Sequence, residues 1–179
     1  MMDLTSRALP DTVTVGGRAF HVHTDYRVWM RFEIERMKMR EGKGLNVGYL
    51  FVDEKPKRCD IRDLLKFAHP VDVLPRSIGH SSGAIALDYE IDSDLIYSAI
   101  LGQYGIDLID VEHLHWHKFL ALIKGLNNST KLREIMGYRC YVKQRSKTDP
   151  YEELKYAWSI ERTTEEEQEE TEKFNSYFS

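Results

Sequence analysis

Apolar side chains recur at helical spacing over residues 92–126, and this pattern constrains the fold more than any other feature of the sequence. Asp92 or Ser93 can cap a first helix here. Gly105 is expected to end that helix after Tyr104. Its apolar positions are Leu95, Ile96, Tyr97, Ala99, Ile100, Leu101 and Tyr104. They cover about two thirds of the helical wheel, which predicts a central helix in a mainly α fold.

A second helix is expected to begin at Asp110. Its apolar side chains lie three and four residues apart, which is typical of one buried helix face. This stripe consists of Trp116, Phe119, Leu120, Ile123 and Leu126. Trp116 has the largest apolar side chain on the stripe, so we expect it to lie in the core, with Phe119 and Ile123 beside it.

The N-terminal part of the sequence predicts a small β-hairpin at about residues 12–23. Residues 12–15 and 18–23 are rich in β-forming side chains. Gly16-Gly17 lies between them and suits a tight turn, because glycine accepts the positive φ angles that such turns need.

The segment after the hairpin predicts a helix with two apolar stripes. Thr24 or Asp25 can cap it, and it is expected to run to about Arg40. One stripe contains Tyr26, Met30, Ile34 and Met37, and the other contains Val28, Phe32 and Met39. Two stripes allow contact with two neighbours, so the second one is a candidate surface for a partner or a second copy of the chain. A ridge of Arg27, Arg31 and Lys38 separates the stripes on one side.

Three shorter helices are expected from their end signals. One follows Asp60 and closes at Pro70, one runs from Thr130 to Met136 and stops at Gly137, and one follows Asp149-Pro150. The last helix carries Tyr151, Leu154, Ala157 and Trp158 on one side, and residues 138–142 between helices are β-like. The sequence therefore predicts one helical domain over residues 1–160 and an acidic, flexible or helical tail over residues 161–179.

Composition and charge exclude several classes of protein. Cys59 and Cys140 form no disulfide framework, and no apolar signal segment begins the chain, so a reducing cytoplasm is expected. No window approaches the ~18 consecutive apolar residues of a membrane span. Residues 149–179 hold ten acidic and three basic side chains, and the net charge is −4. Nucleic-acid binding is therefore not expected, although an adaptor that uses the basic ridge is an alternative.

The strongest candidate for chemistry is the pair His113 and His117. On a helix the two would lie one turn apart, as paired histidine ligands do in zinc sites. No third ligand is evident, so a metal-dependent enzyme built on this pair is kept only as the alternative function. Neither a cofactor nor catalytic residues are expected. Cys59 precedes a helix start, where a thiol pKa can fall, but the sequence specifies no base beside it.

One set of aromatic and apolar residues resembles a known family. The set is Tyr104-Gly-Ile-Asp-Leu, Leu114-His115-Trp116, Phe119, Leu122, Gly125-Leu126, Thr130 and Tyr138-Arg139. It resembles the "Gp fifteen" family of phages and prophages of Gram-positive bacteria, thought to be tail assembly chaperones. The segment Thr24-Asp25-Tyr26-Arg27 and the helix over residues 92–104 resemble the family too, whereas residues 42–80 match it poorly.

The resemblance implies a non-enzymatic role in tail assembly. Such a chaperone is expected to coat the tape-measure protein, keep it soluble and help recruit tail tube subunits. It would act in the host bacterial cytoplasm and be absent from the mature virion. At the end of the acidic tail, Phe174, Tyr177 and Phe178 have helical spacing, so they are candidates for docking on a basic, apolar partner surface.

Overall fold

A computed structural model of the chain describes residues 5–6, 8–39, 44–70, 84–143 and 149–160. Its strands are β1 (Thr12–Val15) and β2 (Arg18–His21), and a short 3-10 helix spans Gly48–Leu50. Its α-helices are α1 (Tyr26–Met37), α2 (Ile61–Ala68), α3 (Ser93–Tyr104), α4 (Trp116–Lys124), α5 (Lys131–Arg139) and α6 (Pro150–Trp158). The described fold is mainly α with a two-stranded hairpin near its start, which confirms the predicted fold class.

The chain divides into two compact units. Unit 1 comprises residues 1–78 and 87–134, and unit 2 comprises residues 79–86 and 135–179. A single domain over residues 1–160 stays a prediction. The predicted acidic tail, residues 161–179, lies outside the described residues.

The hairpin forms as the sequence predicts, except that β2 ends at His21 rather than at His23. Gly16 and Gly17 have φ angles of 58° and 83°, which fit a turn with two left-handed residues. The strands pair antiparallel with Val13 opposite Phe20, and both side chains are buried. On the other side of β2, the N–H of Val52 donates to the carbonyl oxygen of His21 at 3.1 Å, so this edge is covered.

Helix α1 begins where predicted and ends earlier. The Asp25 side chain accepts from the backbone N–H of Arg27 and caps it, and the helix ends at Met37 rather than near Arg40. Its buried residues are Tyr26, Trp29, Phe32 and Glu33. The two-stripe prediction was therefore wrong about the buried face, since Trp29 belonged to neither stripe and is completely buried.

Helix α4 begins at Trp116, so the predicted start at Asp110 was wrong. Tyr26 N–H donates to the carbonyl of Leu114 at 2.8 Å, and Trp116 N–H donates to the carbonyl of Thr24 at 2.7 Å. Residues 114–116 thus exchange backbone hydrogen bonds with residues 24–26. A helix that began at Asp110 would need the same backbone N–H and C=O groups for its own hydrogen bonds.

Helix α3 has the predicted bounds, and α5 does not. Gly105 ends α3 with a φ of 66°, in the left-handed region that favours glycine. Helix α5 continues through Gly137 to Arg139. Gly137 does not take a positive φ, so it does not stop the helix. The prediction that residues 138–142 are β-like was therefore wrong, because Tyr138 and Arg139 belong to α5.

The core of unit 1 is aromatic. Trp116 is completely buried, which confirms its predicted place in the core. Its ring stacks on Phe119 at a centroid distance of 5.7 Å, and Phe119 stacks on Tyr26 at 5.0 Å. The indole Nε1–H donates to the carbonyl oxygen of Ala68 at 3.0 Å. Trp116 thus joins α4 to the last residue of α2.

Candidate partner-binding surface

The structure does not place His113 and His117 one turn apart on a helix. His113 precedes α4, and its Nε2 lies 3.1 Å from the Thr24 hydroxyl. His117 lies in α4, and its Nε2–H donates to the carbonyl of Phe67 at 2.8 Å. The geometry that motivated the metal alternative is therefore wrong. Among the described residues, no group of three or more His, Cys, Asp or Glu side chains could hold a metal ion.

His115 and His117 are buried structural residues at the start of α4. The Nδ1 atom of His115 accepts from the backbone N–H of His117, so its Nε2 carries the proton and donates to the carbonyl of Pro10 at 2.9 Å. Burial lowers the pKa of both histidines, and it outweighs the hydrogen bonds to Pro10 and Phe67 that favour the protonated forms. Both rings serve as neutral donors and fix the N-terminus of α4.

The predicted basic ridge is neutralised by acidic partners. Arg27 contacts Asp25, Arg31 pairs with Glu35 at 2.7 Å, and Lys38 pairs with Glu90 at 2.6 Å. Arg27 also donates through Nη2 to the carbonyls of Leu108 and Val111, each at 2.8 Å. A nucleic acid would have to compete for cations that already hold the fold together. The ridge therefore does not favour the adaptor alternative.

The predicted stripe of Val28, Phe32 and Met39 is split between core and surface. Phe32 is completely buried beside Trp29, at a ring distance of 5.6 Å. A partner could contact its ring only if the core opened. Val28 is half-buried and Met39 is 42% exposed, so these two remain candidates for partner binding. Phe174, Tyr177 and Phe178 lie outside the described residues.

A buried ionic cluster around Glu33 was not predicted. Its Oε2 accepts from Nη2 of Arg36 at 2.6 Å, and its Oε1 lies 3.1 Å from Nε2 of His69 at the end of α2. Burial raises the pKa of Glu33, but these two partners outweigh burial and keep the pKa below its usual value. The side chain was missed because glutamate is rarely buried, although Glu33 lies on the same side of α1 as Tyr26 and Met30. The cluster fastens α1 to α2 and needs no ligand.

The two cysteines do not have the environment of an activated nucleophile. Burial raises the pKa of the Cys59 thiol, and Asp63 and Asp60 raise it further. The helix start at Asp60 therefore does not lower the pKa of this thiol. Cys140 is exposed, just after the end of α5.

Helix α6, in unit 2, is anchored mainly by polar contacts. Asp149 caps it as predicted, accepting from the N–H of Tyr151. Lys155 Nζ donates to the carbonyl of Tyr141 at 2.7 Å, and Arg139 Nε donates to the carbonyl of Trp158 at 2.8 Å. The last two contacts fix the second half of the helix to residues near the end of α5.

The same helix exposes three aromatic side chains and has no buried residue. Tyr156 is 82% exposed, Tyr151 is 51% exposed and Trp158 is 37% exposed. Tyr151 stacks on Tyr141 at 5.4 Å, so one face of its ring is covered. Exposed tyrosine and tryptophan are enriched at protein interfaces. We call Tyr151, Tyr156 and Trp158 the α6 surface. Tyr151 and Trp158 lie seven residues apart on one side of the helix, and Tyr156 lies on the other side. These side chains are the best candidates for partner binding among the described residues.

Comparison with known proteins gives one informative match. A family model described as Bacteriophage Gp15 protein matches residues 8–163. This range includes the hairpin and all six described helices. No curated protein and no solved structure matches the chain. The described residues contain no helix with the length and apolar character needed to cross a membrane.

Proposed function

The chain belongs to the Bacteriophage Gp15 protein family, and from that membership we propose that it is a tail assembly chaperone. In this role it binds the tape-measure protein, keeps it soluble and helps recruit tail tube subunits, and it has no enzymatic activity. It acts in the host bacterial cytoplasm and leaves before the virion is complete. The family match over residues 8–163 is the observation that carries this proposal.

The α6 surface supports a binding role of this kind. Three aromatic side chains stand on a helix that contributes nothing to the described core. Glu152 and Glu153 lie in the first turn of the same helix, and Lys143 pairs with Glu152. An apolar partner surface would complement the exposed aromatic side chains. A long helical protein with apolar faces would need such cover to remain soluble.

Co-expression with the neighbouring tape-measure reading frame tests the proposal. The tape-measure protein is expected to be soluble and to co-purify when this chain is present, and to be insoluble without it. If it is equally insoluble in both cases, the chaperone assignment is wrong.

Two single variants test whether the α6 surface makes the contact. Tyr156→Ala removes its most exposed aromatic side chain and should reduce the amount of co-purified tape-measure protein. Ile109→Ala is the matched control, because Ile109 is 76% exposed and lies in unit 1. If the two variants retain the partner equally well, the α6 surface is not the binding site.

A truncation after Ile160 tests the tail separately. Removal of residues 161–179 is expected to leave the melting temperature nearly unchanged and to weaken co-purification, more at low salt than at high salt, since charge contributes to the encounter. Equal retention of the partner at every salt concentration would contradict docking by the tail.

A further inference from the structure

The outer edge of β1 directs backbone N–H and C=O groups away from β2. Val22 N–H donates to the carbonyl of Asp11 at 2.9 Å, which identifies Asp11–Val22 as a hydrogen-bonded pair of the ladder. In an antiparallel pair such positions alternate, so the N–H and C=O groups of Thr12 and Thr14 point away from β2. Within the part of the chain that the structure describes, no group hydrogen-bonds to them.

This edge borders a cleft in unit 1. The cleft has a volume of about 370 Å³ and lies between β1 and α2. Thr12 and Thr14 line it from the strand, and Asp63 and Lys66 line it from the helix. Its volume is within the range of sites that bind small ligands or a few residues of peptide.

The edge lacks two of the usual devices against strand addition, a charged side chain and a β-bulge, although β1 is short. Natural edge strands are commonly blocked by lysine, proline or a β-bulge. β1 has the sequence Thr-Val-Thr-Val, and its pairing with β2 continues without a bulge from Thr12 to Val15. Two N–H and two C=O groups at alternate residues are the pattern that an added strand satisfies.

Size and charge decide which occupant fits. A four-residue edge is only about 14 Å long, and a stable dimer buries about 800 Å² on each partner, so the edge alone is too small for a second copy of the chain. Lys66 Nζ pairs with the Asp63 carboxylate at 2.8 Å, and the buried ring of His117 is neutral because burial lowers its pKa. Lys66 and Asp63 offset each other's charge, so the described lining of the cleft carries no net charge that would favour a charged occupant.

We propose that the open edge of β1 and the adjoining cleft bind an uncharged, extended peptide segment of another protein as a third β-strand. Backbone hydrogen bonds to Thr12 and Thr14 hold the peptide, and its alternate side chains enter the cleft. The site lies in unit 1 and is separate from the α6 surface, so it does not rest on the chaperone role.

A titration of the full chain with a defined probe tests this. The probe is the capped peptide acetyl-Ser-Val-Thr-Val-Ser-amide, added to uniformly ¹⁵N-labelled protein and followed by amide chemical shifts. We expect saturable shifts concentrated at Thr12, Thr14 and the residues of α2 that line the cleft. A peptide of the same sequence that is N-methylated at all five residues cannot donate those hydrogen bonds in either register and should not bind. Equal binding of the N-methylated peptide, or shifts spread over the whole chain, would overturn the proposal.

Two proline variants test the edge itself. Thr14→Pro removes one outward N–H that β2 does not use, and proline is tolerated at strand edges. It should weaken peptide binding about fivefold or more, the loss of one hydrogen bond. Ala19→Pro is the matched control, since Ala19 lies opposite Thr14 and its N–H points to the other edge. Unchanged binding by Thr14→Pro would refute the site. If sedimentation shows a dimer that Thr14→Pro dissociates, the edge binds a second copy of the chain. That result would refute the peptide-binding proposal.

Discussion

Replacing Trp116 by alanine should lower the free energy of unfolding by about 3–5 kcal/mol. The indole is completely buried, and Phe119 stacks against it at 5.7 Å. Its removal leaves an apolar cavity between two helices that cannot close fully, because Trp116 N–H and the neighbouring backbone are held by Thr24. Loss of burial and the remaining cavity both contribute to this magnitude.

Trp116→Phe separates the hydrogen bond from the ring. Phenylalanine keeps most of the apolar contact but cannot donate to the carbonyl of Ala68. That carbonyl belongs to a completely buried residue at the end of α2 and would lose its 3.0 Å donor. An unsatisfied buried acceptor costs about 1–3 kcal/mol. Trp116→Phe should therefore lower the free energy of unfolding less than Trp116→Ala does.

Urea denaturation followed by far-UV circular dichroism measures both losses. Tyr156→Ala is the control, because Tyr156 is 82% exposed and its removal should change stability by no more than about 0.5 kcal/mol. A loss of less than about 1 kcal/mol in the free energy of unfolding of Trp116→Ala would refute the core position, because removal of a buried indole destabilises a protein by more than that.

Three further predictions concern a helix end, the buried histidines and an arginine. Gly105→Ala should cost about 1 kcal/mol, because alanine is strained at a φ of 66°. Gly102→Ala is the control in the same helix; it has open space around it and should stabilise the protein by up to about 1 kcal/mol in thermal melts. The melting temperature should fall as pH drops below about 6.5, because His115 and His117 have lowered pKa values and the unfolded chain binds more protons there. His117→Gln should reduce that dependence, and an equally steep profile would contradict the assignment. Arg27→Lys should cost about 1–2 kcal/mol in urea melts, because Nη2 of Arg27 donates to both loop carbonyls while Nη1 contacts Asp25, and the single nitrogen of lysine cannot make both sets of contacts. Arg31→Lys, at an exposed pair, should stay within about 0.5 kcal/mol.

Helix ends with local signals could be predicted from the sequence. Asp60 caps α2, Gly105 ends α3 and Asp149 caps α6, each at the expected position. Such signals act through hydrogen bonds or φ angles within a few residues of the helix end. Local sequence is therefore sufficient to place them.

Features set by distant residues could not be predicted. The start of α4 depends on Thr24 and Tyr26, about 90 positions earlier, and no pattern near Asp110 carries that information. The histidine pair failed for the same reason, since its helical spacing assumed a helix that begins before His113. The α6 surface was missed because helical periodicity identifies an apolar face but not whether the same chain covers it.

The pairing of residues 24–26 with residues 114–116 also sets an order of events during synthesis. The ribosome adds about 5–20 residues each second, so the start of α1 waits roughly 5–18 s for the segment that satisfies its backbone groups. Until then the aromatic face of α1 has no α4 to pack against. The nascent N-terminal half therefore needs protection from aggregation until α4 has been synthesised.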